Sequence, residues 1–578
     1  MTKRPRPEYL AKRQLQPLEP RNTVRTFDRP ATPRAMDDDL GLVEAGSNPT
    51  ESETSLVRSS ALVAVGTMLS RVTGFARIAA IAYALGATTL AGTYSYANEA
   101  PNIVYELLLG GVLTATLVPL FVKYHETDDD EAPSAIFTVA IVALAAITMI
   151  GVVAAPWIVE LYTLNVKGAN VAAQQDLATD LLRLFMPQML FYGIVTLATA
   201  MLNARRRFLA AAFAPVLNNI VVIAVFLVLP RIADGSLTVE NVLADDSLVL
   251  LIGLGTTAGV LVMALALLPP LTRLHTHLRF LPRWKHPAVL TMLRLSGWTV
   301  GYVIANQIAL LVVTILANGT DGGPFIYISA YAFFQLPHGL FAVSLMTTFT
   351  PEMARAATRG DLGALRTQLS RGIRLAAMVI VPASALYIGL ARPIIVALLQ
   401  RGAFSAADAS AVSDTLVAFS VGLLPFSIYL FAMRAFYARH DTYTPFWINC
   451  IENFVNIALA FPLYAWLGIP GLALAFALAY FVGAFVTLFV LRVRLDGIDG
   501  PRIMSSLSRI VAAGVVVGGV SWAVGEFVGW SSFGRAVVAV VAGTAIGAVV
   551  YVGLLVLLRV EELSEVRSLV PARLRARS

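Results

Sequence analysis

The stretch Ser60-Ala-Leu-Val-Ala-Val-Gly-Thr-Met-Leu-Ser70-Arg71-Val-Thr-Gly-Phe-Ala-Arg77-Ile-Ala-Ala-Ile-Ala-Tyr-Ala-Leu85 has the length and apolar content of a membrane-crossing helix, yet it holds two arginines. A cation at membrane depth costs roughly 2.5–3.5 kcal/mol on insertion scales, so it faces a wet cavity or a partner unless it reaches the headgroups. Two readings follow. Arg71 and Arg77 either snorkel from the cytoplasmic end or line a hydrated, positively charged chamber for an anionic substrate. Arg77 lies six residues further along, about 9 Å of helical rise, which makes snorkelling harder for it than for Arg71.

Working outward, apolar residues make up 57% of the 578-residue chain and charged residues 14%, with a mean hydropathy of +0.73. That balance predicts an all-α polytopic membrane protein. The one cysteine, Cys450, excludes an internal disulfide and a thiolate metal cluster. His275, His277 and His286 stand among Arg273, Arg279, Arg283 and Lys285, a solvated basic loop rather than a metal site. The net charge of +7 is scattered over short loops, a pattern of membrane topology and not of nucleic-acid binding. There is no G-x-x-x-x-G-K-[ST] loop for ATP and no soluble stretch long enough for an enzyme domain, which leaves transport as the expected class.

Residues 1–56 are polar, first basic and then acidic, and are expected to be a disordered cytoplasmic tail. They lack the apolar run and cleavage site of a signal peptide. About fourteen spans are predicted, near 59–85, 93–122, 134–158, 175–203, 209–230, 248–271, 287–317, 326–350, 372–397, 410–437, 444–466, 470–491, 505–528 and 534–559. Loops carrying Arg205 to Arg207, Arg273 to Lys285, Arg355 to Arg371, Arg434 and Arg439, and Arg492 to Arg502 alternate with loops poor in basic residues. By the positive-inside rule both termini are then cytoplasmic, as is a basic tail at 561–578.

The halves resemble each other at an offset of roughly 230–236 residues. Tyr96-Ala-Asn-Glu-Ala-Pro101-Asn102 matches Tyr331-Ala-Phe-Phe-Gln-Leu-Pro337-His338, so that Glu99 falls opposite Gln335 and Asn102 opposite His338. Six spans per half make the repeats parallel, predicting two six-helix lobes (57–280 and 281–497) about an axis along the membrane normal, followed by a helix pair at 498–560. The cleft between such lobes is lined by their early helices. Glu99, Asn102 and Glu106 share one helix face, and Arg294 lies about 10 Å inside its own span. Each of these polar groups has a competing reading as interhelical packing or, for Arg294, as a snorkelling side chain. Asn449 and Asn453, one turn apart with Glu452 and Asn456 near, have the oxygen spacing to hold Na⁺, or else simply pack helices together.

Ser70-Arg-Val-Thr-Gly-Phe-Ala-Arg77, Pro101-Asn102, Val118-Pro119, Asn203-Ala-Arg-Arg-Arg-Phe208 and Ala214-Pro-Val-Leu-Asn-Asn219 give the chain a resemblance, over about 57–560, to the MurJ/MviN family of lipid II flippases. The resemblance implies two lobes facing a central cavity, a lipid-tail groove on the last helix pair, and alternating access that carries the pyrophosphate-linked head of lipid II outward across the bacterial cytoplasmic membrane. It implies that Arg71, Arg77 and Arg294 are cavity cations, and a guanidinium suits a pyrophosphate because its donors are planar and bidentate. It is also consistent with Na⁺ or the membrane potential as driving force.

The chain departs from the family pattern at Ile78, Tyr105, Glu106, Gly110 and Ala332, where charged residues are usual. Glu99 and Glu106 are therefore expected to pair with Arg71, Arg77 or Arg294, leaving Asn102 and Gln335 as further substrate contacts. Partners expected are lipid II, membrane lipid and, through the tail, cell-wall synthesis proteins. Alternatives are export of another polyprenyl-linked glycan and a non-transporting scaffold for wall synthesis.

Overall fold

In the computed structural model the described residues are 49–107, 117–126, 131–167, 171–274 and 278–563. One compact unit begins at Val57. Among the described residues every regular element is helical. In chain order these are α1 (Pro49–Leu85), α2 (Thr89–Leu107), α3 (Val118–Glu126), α4 (Glu131–Tyr162), α5 (Val171–Phe185), α6 (Gln188–Ala204) and α7 (Phe208–Ile232). Then follow the short α8 (Val239–Leu243), α9 (Asp246–Thr272), α10 (Pro287–Ala317), α11 (Gly323–Pro337), a π-helical turn (His338–Ala342) and α12 (Val343–Thr358). The rest are α13 (Leu362–Leu398), α14 (Ala406–Val421), α15 (Leu423–Ala438), α16 (Tyr443–Leu467), α17 (Ile469–Arg494), α18 (Gly500–Val528) and α19 (Phe533–Leu557).

Twelve helices among the described residues are long and apolar enough to cross a membrane, thirteen if α14 and α15, bent by 46°, count as one span. The chain is a multi-pass membrane protein. The second expected span, 93–122, is the one missing from that number, because 108–116 lie outside the described residues between α2 and α3. The expected span at 326–350 is α11 and α12 running on through the π turn, from Gly323 to Thr358. A π turn inserts one residue into the helical ladder and often marks a working site. Here it follows Pro337, whose missing N–H removes a hydrogen bond at the same place.

The helix ends are chemically specified. Ser405 and Asp408 cap α14 reciprocally, Asp361 accepts from the Ala364 N–H at the start of α13, and Gly468 at φ +65° turns α16 into α17 ahead of Pro470. Helices α2 and α4 to α9 pack together, as do α10 to α17. The pair α18 and α19 packs along α13. Glycine makes that last contact possible: a Cβ on Gly389 of α13 would stand 2.6 Å from the Gly518 carbonyl oxygen of α18. Close approach through small residues is how helices associate without a hydrophobic driving force between them.

The loops at one end of the bundle are fastened across the two packed groups. The Ala403 N–H donates to the Tyr83 carbonyl at 2.9 Å, and the Ala87 N–H to Asp408 Oδ2 at 3.3 Å. The Thr89 hydroxyl donates to Asp321, and Asn165 Nδ2 to the Leu316 carbonyl at 3.1 Å. Asn318 Nδ2 donates to the Tyr162 carbonyl at 3.0 Å while its Oδ1 receives Gln174 Nε2 at 3.3 Å. Gly322, at φ +63°, brings its Cα against the Ala87 peptide so closely that a Cβ would sit 2.0 Å from that carbonyl oxygen. This seam joins the α1–α2 and α4–α5 connections to the α10–α11 and α13–α14 connections. It lies at the end opposite the arginine-rich turns at 205–207 and 492–494.

Candidate functional site

Helix α1 is held between the two packed groups by its uncharged residues. Asn219 of α7 donates to the Ser70 carbonyl at 3.2 Å and to the Thr73 hydroxyl at 3.0 Å, and Phe75 meets Phe333 of α11 edge-on at 5.0 Å. Those contacts fix the rotation of α1 and so aim its arginines. At 100° per residue, positions six apart point about 120° away from each other, so Arg71 and Arg77 address different walls.

Arg71 is exposed and faces the π turn. Its Nη2 comes within 3.8 Å of the point where a Cβ on Gly339 would stand. A small, open-sided pocket is lined here by Arg71, Phe75, Ala332, Gln335, Leu336, Gly339 and Leu340. The structure thus brings together two of the expected site residues, Arg71 and Gln335, whose Nε2 is turned onto the Tyr331 hydroxyl. Arg71 is about 21 Å by helical rise from Leu85, where the seam begins, so the cavity is deep in the bundle as seen from that end.

Arg77 is half-buried and within electrostatic reach of Tyr94 on α2, which is wedged edge-on between Phe185 and Phe226. Neither Arg71 nor Arg77 makes an ion pair among the described residues, and neither does Arg294, which is exposed on α10 away from the Arg71 cavity lining. The expected pairing with Glu99 is therefore not formed. Glu99 is partly buried on α2, within electrostatic reach of Tyr162 of α4. Asn102 follows Pro101 on the same helix and is partly buried. The Glu106 side chain lies outside the described residues.

Sequence reading missed Arg434, grouping it with Arg439 as a loop residue. It stands inside α15, in an apolar run of the same kind that singled out Arg71. That run, Leu423 to Ala438, held the signal.

The asparagine cluster is a separate polar node. Asn449 Nδ2 and Asn453 Nδ2 of α16 both donate to Asn306 Oδ1 of α10, at 2.9 and 2.8 Å, and Asn453 Nδ2 also donates to the Asn449 carbonyl at 2.9 Å. Those donors hold α16 to α10. On α16 itself, Asn449 Oδ1, Glu452 Oε2 and Asn456 Oδ1 are buried without a hydrogen-bond partner. They recur at i, i+3 and i+7, one helix face. Buried orphan oxygens cost about 1–3 kcal/mol each, and a hard cation satisfies them with the oxygen chemistry it prefers. Asn449, Glu452 and Asn456 thus present oxygens along one face of α16, and the Asn453 amide nitrogen is engaged with Asn306 and the Asn449 carbonyl.

The chain matches the family model described as Lipid II flippase MurJ over residues 81–540. A protein of Vibrio cholerae named probable lipid II flippase MurJ is 27% identical over 496 residues, covering 83% of this chain and 91% of that one. Its namesake from Rhizobium tropici is 31% identical over 445 residues, 75% of this chain and 81% of the relative. Among solved structures, a lipid II flippase MurJ in an inward closed conformation superposes with a TM-score of 0.70 at 20% identity, over 86% of this chain and 99% of its own. An inward-facing multidrug transporter of the MATE family follows the same fold at a TM-score of 0.62 and 14% identity, over 74% of this chain and 96% of its own. An all-helical bundle with arginines set in its first span, and a family match running across most of its membrane-crossing helices, place the chain in the MurJ family of lipid II flippases.

Proposed function

We propose that the protein moves lipid II from the inner to the outer leaflet of a bacterial cytoplasmic membrane, with both termini in the cytoplasm. The observation that carries this reading is Arg71: a guanidinium without a protein carboxylate, facing a cavity inside a bundle of membrane-crossing helices. A permanent cation with unused donors is a ready receptor for a diphosphate, because charge-assisted bidentate bonds repay the loss of its hydration. Arg77 addresses the α2 wall and offers a second contact further toward the seam. Asn102 and Gln335 supply neutral donors and acceptors for the sugar and peptide, and Arg294 and Glu106 remain proposed contacts of the same path.

By the positive-inside rule the arginine-rich turns face the cytoplasm, so the fastened end is the outer one. The structure is then closed outward, and alternating access requires that the seam part while the opposite end closes. The lobes at 57–280 and 281–497 are the moving bodies of this proposal, and the pair at 498–560 supplies the surface for the lipid tail.

The driving force we assign to a monovalent cation at the α16 node, where Asn449, Glu452 and Asn456 offer unsatisfied oxygens, or to the membrane potential acting on it. Sodium bound there would neutralise a buried carboxylate and tie α16 more firmly to α10.

Arg71→Ala and Arg77→Ala each should abolish the appearance of lipid II on the outer face in cells depleted of the native protein, at unchanged expression. Full export by both variants would remove the anionic-cavity mechanism. Deleting residues 1–55 separates transport from scaffolding: a flippase persists, whereas a scaffold recruiting wall-synthesis proteins through its tail fails. Of that tail, residues 1–48 lie outside the described structure.

A further inference from the structure

We infer that Arg434 is the second packed group's own contact for the anionic head of the cargo, sharing it with Arg71 across the π turn. The inference rests on the reading that the cargo is a lipid-linked diphosphate.

His338 opens the π turn between α11 and α12 and is 5% exposed. Its position is fixed from α15: ring Nδ1 is 3.0 Å from the Ser427 hydroxyl, and the ring stands edge-on to Phe426 at 4.7 Å. Two guanidiniums lie within electrostatic reach of this one ring, Arg434 from α15 and Arg71 from α1. Arg434 is seven residues beyond Ser427, so it shares that residue's helix face about 10 Å further along. It therefore points toward the break in α11–α12 rather than to the lipid side of α15. It also lies within electrostatic reach of Tyr437, one turn further along α15.

Exposure along α15 agrees. Met433, Ala435 and Phe436 are buried to 2% or less, while Arg434 between them is open. An exposed guanidinium between buried neighbours keeps its donors open to a ligand.

Partnership marks it further. Arg494 pairs with Asp441, Arg374 with Glu562, Arg502 with Glu561 and Arg283 with Glu131, so each of those guanidiniums is already neutralised by a carboxylate. Arg434, like Arg71, makes no ion pair or hydrogen bond among the described residues. Two guanidiniums without a protein carboxylate, both within electrostatic reach of His338, suit an anion with two phosphoryl groups, one for each fork. Such an anion would bridge α1 to α15 and so register its own arrival across both.

The competing role is a snorkelling arginine at the cytoplasmic headgroups. Charge alone serves that role, so lysine replaces it freely, whereas a bidentate phosphate contact is degraded by lysine. The test uses the full-length protein in phosphatidylcholine nanodiscs, titrated with undecaprenyl diphosphate and, as control, undecaprenol. Losing a charge-assisted contact worth about 1.5–3 kcal/mol corresponds to roughly a 10–100-fold loss of affinity. Arg434→Gln is expected to weaken diphosphate binding about tenfold or more, and Arg434→Lys by a smaller factor, with undecaprenol binding and melting temperature unchanged for the lysine variant. Wild-type affinity in both variants overturns the inference and leaves the anionic reading standing. If the wild-type protein itself prefers the diphosphate no more than undecaprenol, the underlying reading fails instead.

Discussion

Gly322 illustrates how one residue decides whether the bundle can close. Its backbone is left-handed at φ +63°, a conformation costing an L-residue about 1–2 kcal/mol, and any Cβ would be driven to 2.0 Å from the Ala87 carbonyl oxygen. Backbone cannot yield as a flexible side chain does. Gly322→Ala should therefore pry the seam apart: cysteine-reactive probes added from outside should label positions below it faster, while the melting temperature falls only modestly. Unchanged labelling would show that the seam tolerates the wedge. Residue-level reading of the sequence was strongest for charge in apolar surroundings, which is why Arg71 and Arg77 stand out before any fold is known. It was weakest for direction. Which neighbours Glu99 meets depends on how α2 rotates against the helices around it, and no periodicity within α2 contains that information.

At the scale of elements, the last helix pair is anchored by charge in a place where charge is expensive. Arg374 of α13 pairs with Glu562, just beyond α19, and the two are 4% and 1% exposed; Ser506 of α18 donates to the other Glu562 oxygen at 2.9 Å. Breaking one side of a buried pair leaves the other uncompensated, typically at about 3–5 kcal/mol. Glu562→Ala should lower the melting temperature in detergent far more than Glu561→Ala, whose carboxylate meets Arg502 at the surface. Equal shifts would mean that the buried pair does not hold the helices together. Hydropathy located nearly all the spans because bilayer thickness sets their length. It could not foresee that α14 and α15 bend by 46°, or that α11 and α12 run on through a π turn, since both depend on local packing.

At the scale of the molecule, the internal repeat visible in the sequence pairs Pro101 with Pro337, and these prolines sit in α2 and at the end of α11, helices that pack against each other. The seam joining the ends of those helices was not legible: it is built from backbone carbonyls, asparagines and two aspartates contributed by loops of ordinary composition. Cys450 is the only native cysteine, so paired cysteines can be introduced cleanly after Cys450→Ala. Thr89 and Asp321 touch across the seam, and the combination Thr89→Cys with Asp321→Cys should block lipid export on oxidation and recover it on reduction. Export that continues with the disulfide formed would mean that this end never opens during the cycle.

The fastened end also bears on pharmacology. On the proposed topology, a compound arriving from the medium meets a lid roughly 21 Å above Arg71 and finds no route to it in this state. An inhibitor aimed at that guanidinium must either cross the bilayer first or capture the opposite conformer. Screening against a protein locked open to the exterior would find molecules that a search against the present form passes over.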